Sequence, residues 1–390
     1  MSGPKARSRS QENPLKAASP SSTRRPRHRP RGRGRVLVVD DSSVVRRILT
    51  SLITESPDLV VAGTAANGQL ALDQLDALQP DAVTLDLEMP VLDGLAVLDR
   101  LETLAPDLPV VILSSHTRRG AAATLEALSK GARDCVLKPD LQSGLAASRE
   151  RLREELIPRL CQLIHGVSRT ESLQEWGRPS ATPHRHRSGA RPIPSILVVG
   201  SSTGGPEALH RFLAGFPASF PLPIVVTQHM PPMFTTMLAE RLDAGTTLQV
   251  TEARDGEPLR SGRVVLAPGD RHLRVECRGH QLCTVLDDGP RVNSCRPSVD
   301  VSFDSAARAR GDGVLAVVLT GMGRDGLAGA GAVRAAGGTV LAQDRESSVI
   351  WGMPGEVVRA GLAETTGDPD QLRRRVDEIV ARAPVGSGVA

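Results

Sequence analysis

The sequence predicts an α/β protein in which two doubly wound parallel-sheet domains follow one another. Short runs of Val, Leu and Ile alternate with helical stretches over about 35–140, and the same texture returns from residue 194. A chain of 390 residues is too long for one typical core. Aromatic residues make up only 2%, with no Tyr, so the cores must be aliphatic, which suits buried parallel sheets.

The first 34 residues differ in composition and hydrophobic pattern from the rest of the chain. Residues 1–35 hold eleven Lys/Arg and one acid, Glu12, while the whole chain has a net charge of +4, so the remainder is acidic. A segment rich in Arg, Ser, Pro and Gly without hydrophobic period predicts a disordered basic tail over 1–34. A solvated tail is the simpler interpretation. Weak anion or nucleic-acid binding is the alternative, but no nucleic-acid-binding fold accompanies it, so we expect no nucleic-acid partner.

Hydropathy and cysteine content indicate the cellular compartment. No apolar run reaches the ~18–20 residues of a membrane span, and the N-terminus lacks the apolar core of a signal peptide. The five cysteines show no metal-type spacing, and their odd number and scatter indicate reduced thiols. They are Cys135, Cys161, Cys277, Cys283 and Cys295. We therefore expect a cytoplasmic protein without membrane insertion.

The first domain is predicted over 35–155 and a linker over 156–193. The domain has five strand candidates, and helical stretches lie at 43–55 and 141–165. The strands are Val36–Val39, Leu59–Gly63, Ala82–Asp86, Val110–Ser114 and Cys135–Leu137. Five such units predict a parallel, flavodoxin-like sheet. Residues 182–189 are polar and rich in Pro and Gly, which is typical of a linker.

Acidic residues end two strands of this first sheet. Asp40 and Asp41 follow the first strand and Asp86 ends the third, so all three should line one crevice. Three converging carboxylates need a cation, and hard oxygen ligands favour Mg²⁺. Ser114 and Lys138, also at strand ends, can contact a phosphoryl group on the central Asp86. Each Asp alone is more readily a cap or a solvated turn; the whole set favours a phosphorylation pocket.

The motifs of this pocket carry a family resemblance. They are DDS at 40–42, LDLEMP at 85–90, SS at 114–115 and KP at 138–139. Over 35–155 the chain resembles the response-regulator receiver family. The resemblance implies phosphorylation of Asp86, Mg²⁺ held by Asp40, Asp41 and Asp86, and a phosphoryl group sensed by Ser114 and Lys138. Cys135 stands where receivers usually carry an aromatic residue, so only the serine arm of the usual switch is expected.

The second domain is predicted over 194–385. Helices are expected at 206–215, 233–243, 299–310, 326–336 and 369–382. The strand candidates are Ser195–Gly200, Pro223–Gln228, Arg263–Ala267, Gly313–Thr320 and Thr339–Ala342. Strands and helices alternate again, which predicts a second doubly wound, Rossmann-like sheet. The two halves share this architecture but no sequence repeat.

A serine lies on the first strand-to-helix turn of the second domain. Gly200–Gly204 fits G-x-S-x-G, and a helix follows near Pro206, a favoured first helical position. This context presents a nucleophilic serine above a sheet, and the helix-start amides suit an oxyanion. The alternative is a turn that cradles phosphate or caps the helix. The turn lacks a Walker lysine and does not fit G-x-G-x-x-G, so a nucleotide site is disfavoured.

Two further residues follow later strands. His229 comes after Ile224–Gln228, and Asp325 comes after the strand that ends near Thr320. Singly, such a His is more often structural and such an Asp an N-cap. With Ser202 they supply a nucleophile, a base and an orienter at one sheet edge. Their order, Ser, His, Asp, differs from the α/β-hydrolase order, which predicts a separate fold with the same chemistry.

These motifs resemble the chemotaxis protein-glutamate methylesterase family. The matching stretches are GSSTGGP, IVVTQHMPPMFT, VVLAPGDRHL, RPSVDVSF, LTGMGRDG and AQDRESSVIWGMP. The resemblance implies Ser202 as nucleophile, His229 as general base and Asp325 as its orienter. The amides of Thr203 and Met322 are the implied oxyanion donors.

The same resemblance implies substrates and partners. The expected substrates are methyl esters of glutamate on the cytoplasmic helices of chemoreceptors, with methanol released, and receptor glutamines for deamidation. A chemotaxis histidine kinase is the implied phosphodonor, and the ester chemistry needs no cofactor. We also expect the unphosphorylated receiver to pack over the crevice that holds Ser202.

Two other classes compete with an esterase. A transcriptional regulator needs a helix-turn-helix or similar output domain, whereas residues 194–385 alternate strands and helices. A phosphate-binding scaffold would keep the fold but lack a reactive serine.

Overall fold

A computed structural model describes residues 32–139, 145–166 and 193–381. The predicted tail up to residue 31 and residues 167–192 of the predicted linker lie outside the described residues. Two parallel sheets, of five and seven strands, confirm the predicted fold class. None of the helices in the described ranges is long and apolar enough to cross a membrane.

The first sheet has the order β2-β1-β3-β4-β5, with every pair parallel. This is the flavodoxin-like order, and all five strand candidates are present. Its elements are β1 Gly34–Val39, α1 Ser43–Glu55, β2 Leu59–Ala65, α2 Gly68–Leu78, β3 Ala82–Asp86, α3 Gly94–Leu104, β4 Val110–Ser114, α4 Arg118–Ser129, β5 Asp134–Leu137 and α5 Leu145–His165.

Local sequence explains why each strand turns directly into a helix. β3 and β4 are buried along their whole length, as aliphatic strands between two helix layers must be. The helices after β1 to β4 each start at a polar N-cap whose side chain accepts a backbone N–H. These caps are Ser42, Asn67, Asp93 and Thr117.

The last helix of this body, α5, overlaps the predicted linker. It runs to His165, as the helical stretch predicted over 141–165 indicates, so residues 156–165 of the predicted linker are helical. Leu152, Leu156 and Leu160 recur every four residues and are fully or almost fully buried. They pack with the aliphatic side chains of β1 and α1, because this spacing places them on one face of the helix.

The second sheet has the order β14-β13-β12-β6-β7-β9-β8, again with every pair parallel. An antiparallel hairpin, β10–β11, is separate from it. The elements are β6 Ile196–Ser201, α6 Gly205–Leu213, β7 Ile224–Gln228, α7 Phe234–Gly245, β8 Gln249–Glu252, β9 Arg263–Leu266, β10 His272–Arg278, β11 Gln281–Asp287, α8 Val299–Arg310, β12 Val314–Val318, α9 Leu327–Ala335, β13 Thr339–Gln343, α10 Met353–Arg359, β14 Thr365–Gly367 and α11 Pro369–Ala381.

The topology of this sheet places the candidate residues together. The chain leaves β6 toward β7 on one side, and it later returns to β12 on the other side. A reversal of this kind opens a crevice at the carboxyl edge of the central strands. Ser202 follows β6, His229 follows β7 and Asp325 follows β12, so the three residues come from three adjacent strands.

Helix α4 of the first body packs against α6 and α7 of the second. One apolar cluster includes Leu125 and Leu128 on α4 together with Leu238 and Leu242 on α7. At its margin Arg241 donates through Nη1 to the carbonyl oxygen of Leu125 at 3.1 Å. The described parts of the two bodies therefore share an apolar contact with polar edges.

Candidate active site

The serine turn is fixed from both sides. The backbone N–H of Ser202 donates to the carbonyl of Thr320 at 3.0 Å. Gly204 has a φ of 76°, a left-handed conformation that glycine adopts without a Cβ penalty. A Cβ on Gly321 would lie 2.8 Å from the Cβ of Ser202, so glycine permits the segment after β12 to approach the serine. Ser202 is 8% exposed and borders the crevice.

Gln228, the last residue of β7, joins the serine turn to the histidine. Its Oε1 accepts from Ser201 Oγ at 2.6 Å, and its Nε2 donates to the carbonyl of Ser202 at 2.9 Å and to that of His229 at 3.2 Å. The side chain is 2% exposed, so these bonds are shielded from water. Gln228 therefore fixes the backbone of two candidate residues relative to each other.

His229 and Asp325 are directly joined. Nε2 of His229 lies 2.8 Å from Oδ2 of Asp325, and the two side chains are 10% and 2% exposed. The carboxylate holds this nitrogen as the N–H donor, so Nδ1 is the nitrogen left to accept a proton. An imidazole oriented by a buried carboxylate is the arrangement that hydrolytic triads use.

Asp325 also caps a helix, although not the helix that follows it in sequence. Its two carboxylate oxygens accept hydrogen bonds from five donors. These are Nε2 of His229, Nδ2 of Asn293, Oγ of Ser298 and the backbone N–H groups of Val299 and Asp300, at 2.6–3.2 Å. Three of the donors lie at the N-terminus of α8. The capping and the orienting interpretations of this residue are therefore compatible.

The electrostatics of the pair follow from these bonds. Burial opposes the charge on Asp325, but the bond to His229 and those from Asn293 and Val299 outweigh it and lower the pKa of Asp325 to about 2. Burial likewise opposes protonation of His229. The electrostatic interaction with Cys295 and the bond to Asp325 outweigh it and raise the pKa of His229 to about 10.

Ser202 and His229 line one cavity, but no hydrogen bond joins their side chains among the described residues. Nδ1 of His229 instead faces Sγ of Cys295 at 3.5 Å. The structure thus brings the three predicted residues to one crevice and links two of them. Proton transfer between the imidazole and the hydroxyl requires such a hydrogen bond to form.

The oxyanion candidates lie on two sides of the serine. Thr203 follows Ser202 directly, and Met322 follows Gly321, which packs against the serine. In the described part of the chain neither of their backbone N–H groups donates to a protein acceptor. Both are therefore free for an incoming oxygen atom.

The residues predicted to form the acidic pocket of the first body lie close together. Nζ of Lys138 lies 3.0 Å from Oδ2 of Asp40 and 2.7 Å from Oδ2 of Asp86. A carboxylate oxygen of Asp41, which is exposed, lies within 4.8 Å of oxygens from both. Burial raises the pKa of Asp40 and of Asp86, even though the lysine opposes this rise. For Lys138 burial acts in the opposite direction, but the two carboxylates outweigh it and raise the pKa.

Ser114 is near the pocket but has its hydroxyl turned elsewhere. It accepts from Oγ1 of Thr124 at 2.7 Å and lies 3.4 Å from the carbonyl of Gly120. The residue is 2% exposed. To contact a phosphoryl group on Asp86, its side chain must therefore exchange these partners for a new one.

The crevice around Ser202 is closed by the first body. A cavity of about 30 Å³ is lined by Ser202 and His229 on one side and by Asp134, Cys135 and Arg159 on the other. Oδ2 of Asp134 accepts a hydrogen bond from Oγ1 of Thr203 and pairs with Nε of Arg159 at 2.9 Å. A space of this size holds a few waters at most, and not a glutamyl ester.

Sequence reasoning missed the residues that support the pair. Gln228 precedes His229, which was a usable signal, because a polar residue at the end of a buried strand faces the same edge. Asn293, Ser298 and Cys295 lie in the loop between β11 and α8, where no periodicity indicates a fold-back. Cys135, singled out for its departure from receivers, lines the cavity between the bodies, and burial raises the pKa of its thiol.

Comparison with known proteins gives matches over both bodies. The family model for CheB methylesterase matches residues 197–376, and the model for the response regulator receiver domain matches residues 36–148. A protein-glutamate methylesterase/protein-glutamine glutaminase of Nocardioides sp. is 44% identical over 362 residues, covering 90% of this chain and 98% of that protein. A protein-glutamate methylesterase/protein-glutamine glutaminase 2 of Caulobacter vibrioides is 44% identical over 339 residues, covering 87% and 96%.

Among solved structures, the CheB methylesterase catalytic domain of Thermotoga maritima is 43% identical. It covers 48% of this chain and 100% of its own length, with a TM-score of 0.48.

Proposed function

The chain belongs to the protein-glutamate methylesterase/protein-glutamine glutaminase family, and from this premise we propose that it hydrolyses methyl esters of glutamate side chains on chemoreceptors. The same site would deamidate receptor glutamines. The observation that carries the proposal is the His229–Asp325 pair at one sheet edge with Ser202. Receptor helices inside the cytoplasm are the proposed substrates, and the cytoplasm is the proposed compartment.

In the proposed reaction Ser202 Oγ attacks the ester carbonyl while Nδ1 of His229 takes its proton. That nitrogen is the one available, because Nε2 is engaged by Asp325. The proton then passes to the departing methoxide, and methanol leaves an acyl-enzyme. Water adds to the acyl group with His229 again as base, and glutamate and free Ser202 result. With glutamine the leaving group is ammonia.

The amides of Thr203 and Met322 are proposed as the oxyanion donors. They flank Ser202 on two segments that the Ser202–Thr320 backbone bond holds together. Donors of this kind act on the charge that develops on the carbonyl oxygen in the transition state. Asp325 would remain ionised and stabilise the imidazolium, in keeping with its lowered pKa.

The test is methanol release from methylated receptor fragments. Ser202→Ala should lower the rate by about 10⁴- to 10⁶-fold, as in other enzymes whose nucleophile acts within a triad. Ser195→Ala is the matched control, because this serine lies at the opposite end of the same strand. Near-normal release by Ser202→Ala, or no release by the wild type, would refute the assignment and favour the scaffold interpretation.

For the receiver we propose phosphorylation of Asp86 by a chemotaxis histidine kinase, with Mg²⁺ held by Asp40, Asp41 and Asp86. The oxygens fit a hard cation: Oδ2 of Asp40 and Oδ2 of Asp86 accept no well-formed hydrogen bond in the described ranges, and Lys138 alone neutralises them. Bound Mg²⁺ would neutralise charge on the phosphoryl oxygens. Lys138 would then pair with the phosphoryl group, and Ser114 would turn from Thr124 toward it.

We further propose that the unphosphorylated receiver blocks the esterase. The cavity lined by Asp134, Arg159 and Ser202 has no room for a receptor side chain, and Thr203 is bonded across it. Phosphorylation of Asp86 would weaken this contact and open the crevice.

The experiment compares methanol release by wild type and Asp86→Asn with and without a small-molecule phosphodonor and Mg²⁺. Stimulation of the wild type alone supports the proposal, whereas equal stimulation of both refutes it. Asp107→Asn, an exposed acid of the same body, is the control.

A further inference from the structure

The loop between β11 and α8 holds a thiol against the catalytic imidazole. Val292 and Cys295 exchange two backbone hydrogen bonds at 3.1 and 2.9 Å. Asn293 and Ser294 between them have φ values of 51° and 63°, a tight turn of left-handed residues. Nδ2 of Asn293 anchors the turn to Asp300 at 2.7 Å and to Asp325 at 2.8 Å. The position of the Cys295 thiol is therefore set by the fold and not by a free loop.

We propose that Cys295 Sγ and His229 Nδ1 form a binding site for a thiophilic divalent cation, with Zn²⁺ as the best fit, and that its occupancy switches the esterase off. The two atoms are 3.5 Å apart. Zn²⁺ bonds of about 2.3 Å to sulfur and about 2.0–2.1 Å to nitrogen at a tetrahedral angle place these ligands about 3.5–3.6 Å apart. The pair therefore has the separation of a zinc site without any rearrangement.

The surroundings of the ring also fit a metal ligand. Histidines that bind metal through one nitrogen usually donate the other N–H to a carboxylate, which fixes the tautomer. Asp325 fills this role at 2.8 Å from Nε2, and four further donors hold it in place. Ligand atoms of His229, Cys295 and Asp325 lie within 4.8 Å of one another. Asp325 bonds the opposite ring nitrogen, so it would orient the ring and would not bind the ion itself.

The chemistry of the donors separates this site from the receiver pocket. The other such group, Asp40, Asp41 and Asp86, offers only carboxylate oxygens, which suit Mg²⁺. A thiolate and an imidazole select Zn²⁺ and similar ions instead. The ion that serves phosphorylation would thus not occupy the esterase site. With two protein ligands the remaining positions fall to water, so binding would be reversible and weaker than in a closed four-ligand site.

The bound ion would inhibit the esterase because it occupies the ring nitrogen of His229 that the reaction uses. The lone pair of Nδ1 that would bind the ion is the one that must accept the proton of Ser202. An ion bound through that lone pair occupies it, so the same nitrogen cannot then accept the serine proton. This part of the inference rests on the proposed function, because it requires His229 to act as base. The metal site itself does not.

The experiment uses the full chain, freed of metal by a chelator, at constant Mg²⁺. Zn²⁺ is titrated during methanol release, and Co²⁺ is bound in a parallel sample to read the thiolate-to-cobalt charge-transfer absorption. Cys295→Ser and Cys295→Ala are compared with Cys277→Ser, which removes an exposed cysteine on β10. Each rate is normalised to that variant's own metal-free rate, and far-ultraviolet circular dichroism checks folding.

Wild type and Cys277→Ser should lose most of their activity in Zn²⁺, regain it with chelator, and show the cobalt band. Both Cys295 variants should keep their activity in Zn²⁺ and lack the band. A band that persists in the Cys295 variants, or none in the wild type, overturns the site. A Cys295-dependent band without loss of activity overturns the switch. If no form releases methanol, the proposed function fails, and the cobalt band still decides the metal site.

Discussion

The pocket around Asp86 and the crevice around Asp325 both lie at the carboxyl edge of a parallel sheet, and both bury carboxylates. They differ in how the buried charge is balanced. In the pocket, Asp40 and Asp86 share one cation, Lys138, on a long and flexible side chain. In the crevice, Asp325 accepts five hydrogen bonds, three of them from the start of one helix.

The pKa directions show the effect of this difference. Burial raises the pKa of Asp40 and Asp86, since a single lysine does not fully offset the lost hydration. The pKa of Asp325 falls to about 2, because fixed donors favour its charged form. Asp40 and Asp86 each also accept one backbone N–H, from Ser42 and Glu88, but their cationic partner Lys138 is movable. Such a carboxylate can exchange its cationic partner for a metal and a phosphoryl group. A carboxylate bonded to the scaffold holds a neighbouring ring in one orientation. The first arrangement suits a switch and the second suits catalysis.

The largest expected effect comes from breaking the fixed arrangement at Asp325. Asp325→Asn should lower kcat by about 10⁴-fold, because the amide cannot hold Nε2 of His229 as the donor. It should also destabilise the protein by about 1–2 kcal/mol, the usual cost of losing a helix cap. Methanol release and thermal unfolding measure the two effects.

Asp304→Asn is the control for this change. Asp304 lies on the same helix, α8, but its partner is the exposed Arg308 four residues away. Exposed pairs of this kind contribute little to stability, so rate and melting temperature should stay unchanged. An Asp325→Asn rate within tenfold of the wild type would mean that the five-donor cluster is only structural.

A smaller effect should follow from removing one of the five donors. Asn293→Gly keeps the left-handed backbone but deletes the amide that bonds Asp325, and Ser294→Gly changes its neighbour in the same turn without touching the carboxylate. We expect Asn293→Gly to lower kcat by about 10- to 100-fold, the range typical of residues that support a catalytic ligand. KM should stay the same, because the amide does not face the ester.

Steady-state kinetics with receptor fragments separate these outcomes. Ser294→Gly should leave both constants near wild type. Equal losses in the two variants would indicate that the shape of the turn matters and the bond to Asp325 does not.

Most of the fold was predictable because buried strands are recognisable. The central strands consist mostly of Val, Ile, Leu and Ala and are buried along most or all of their length, which is the pattern of strands covered on both faces. They are β1, β3, β6, β7 and β12. β8 and β14 were missed. They lie at the two edges of the sheet, have four and three residues, and contain no apolar run. The hairpin β10–β11 was missed as well, although buried Leu273 and Val275 alternate with charged residues on β10, which is the pattern of a half-buried strand.

The sequence predicts the site residues that directly follow strands, but not those that lie within a loop. Ser202, His229 and Asp325 each follow a central strand, so topology alone assembles them. Asn293 and Cys295 reach the same place through a turn of two left-handed residues, which is a tertiary property of one loop. Asp134 meets Thr203 across two bodies, and periodicity within one body carries no information on such a contact.

The smallest effect we predict concerns the hydrogen bond between Thr203 and Asp134, which joins the crevice around Ser202 to the first body. Asp134→Asn removes the charge that accepts from Thr203 and from Arg159. A hydrogen bond to a charged group contributes about 1.5–3 kcal/mol, and here Arg159 shares the carboxylate, so we expect basal methanol release to rise about 5- to 10-fold. The phosphodonor should then stimulate methanol release less in this variant, because the contact between the two bodies is already weakened. Asp107→Asn, which changes an exposed acid between α3 and β4 of the first body, should change neither value. If Asp134→Asn behaves like Asp107→Asn, the apolar contact of Leu125 and Leu128 on α4 with α7 holds the receiver in place instead.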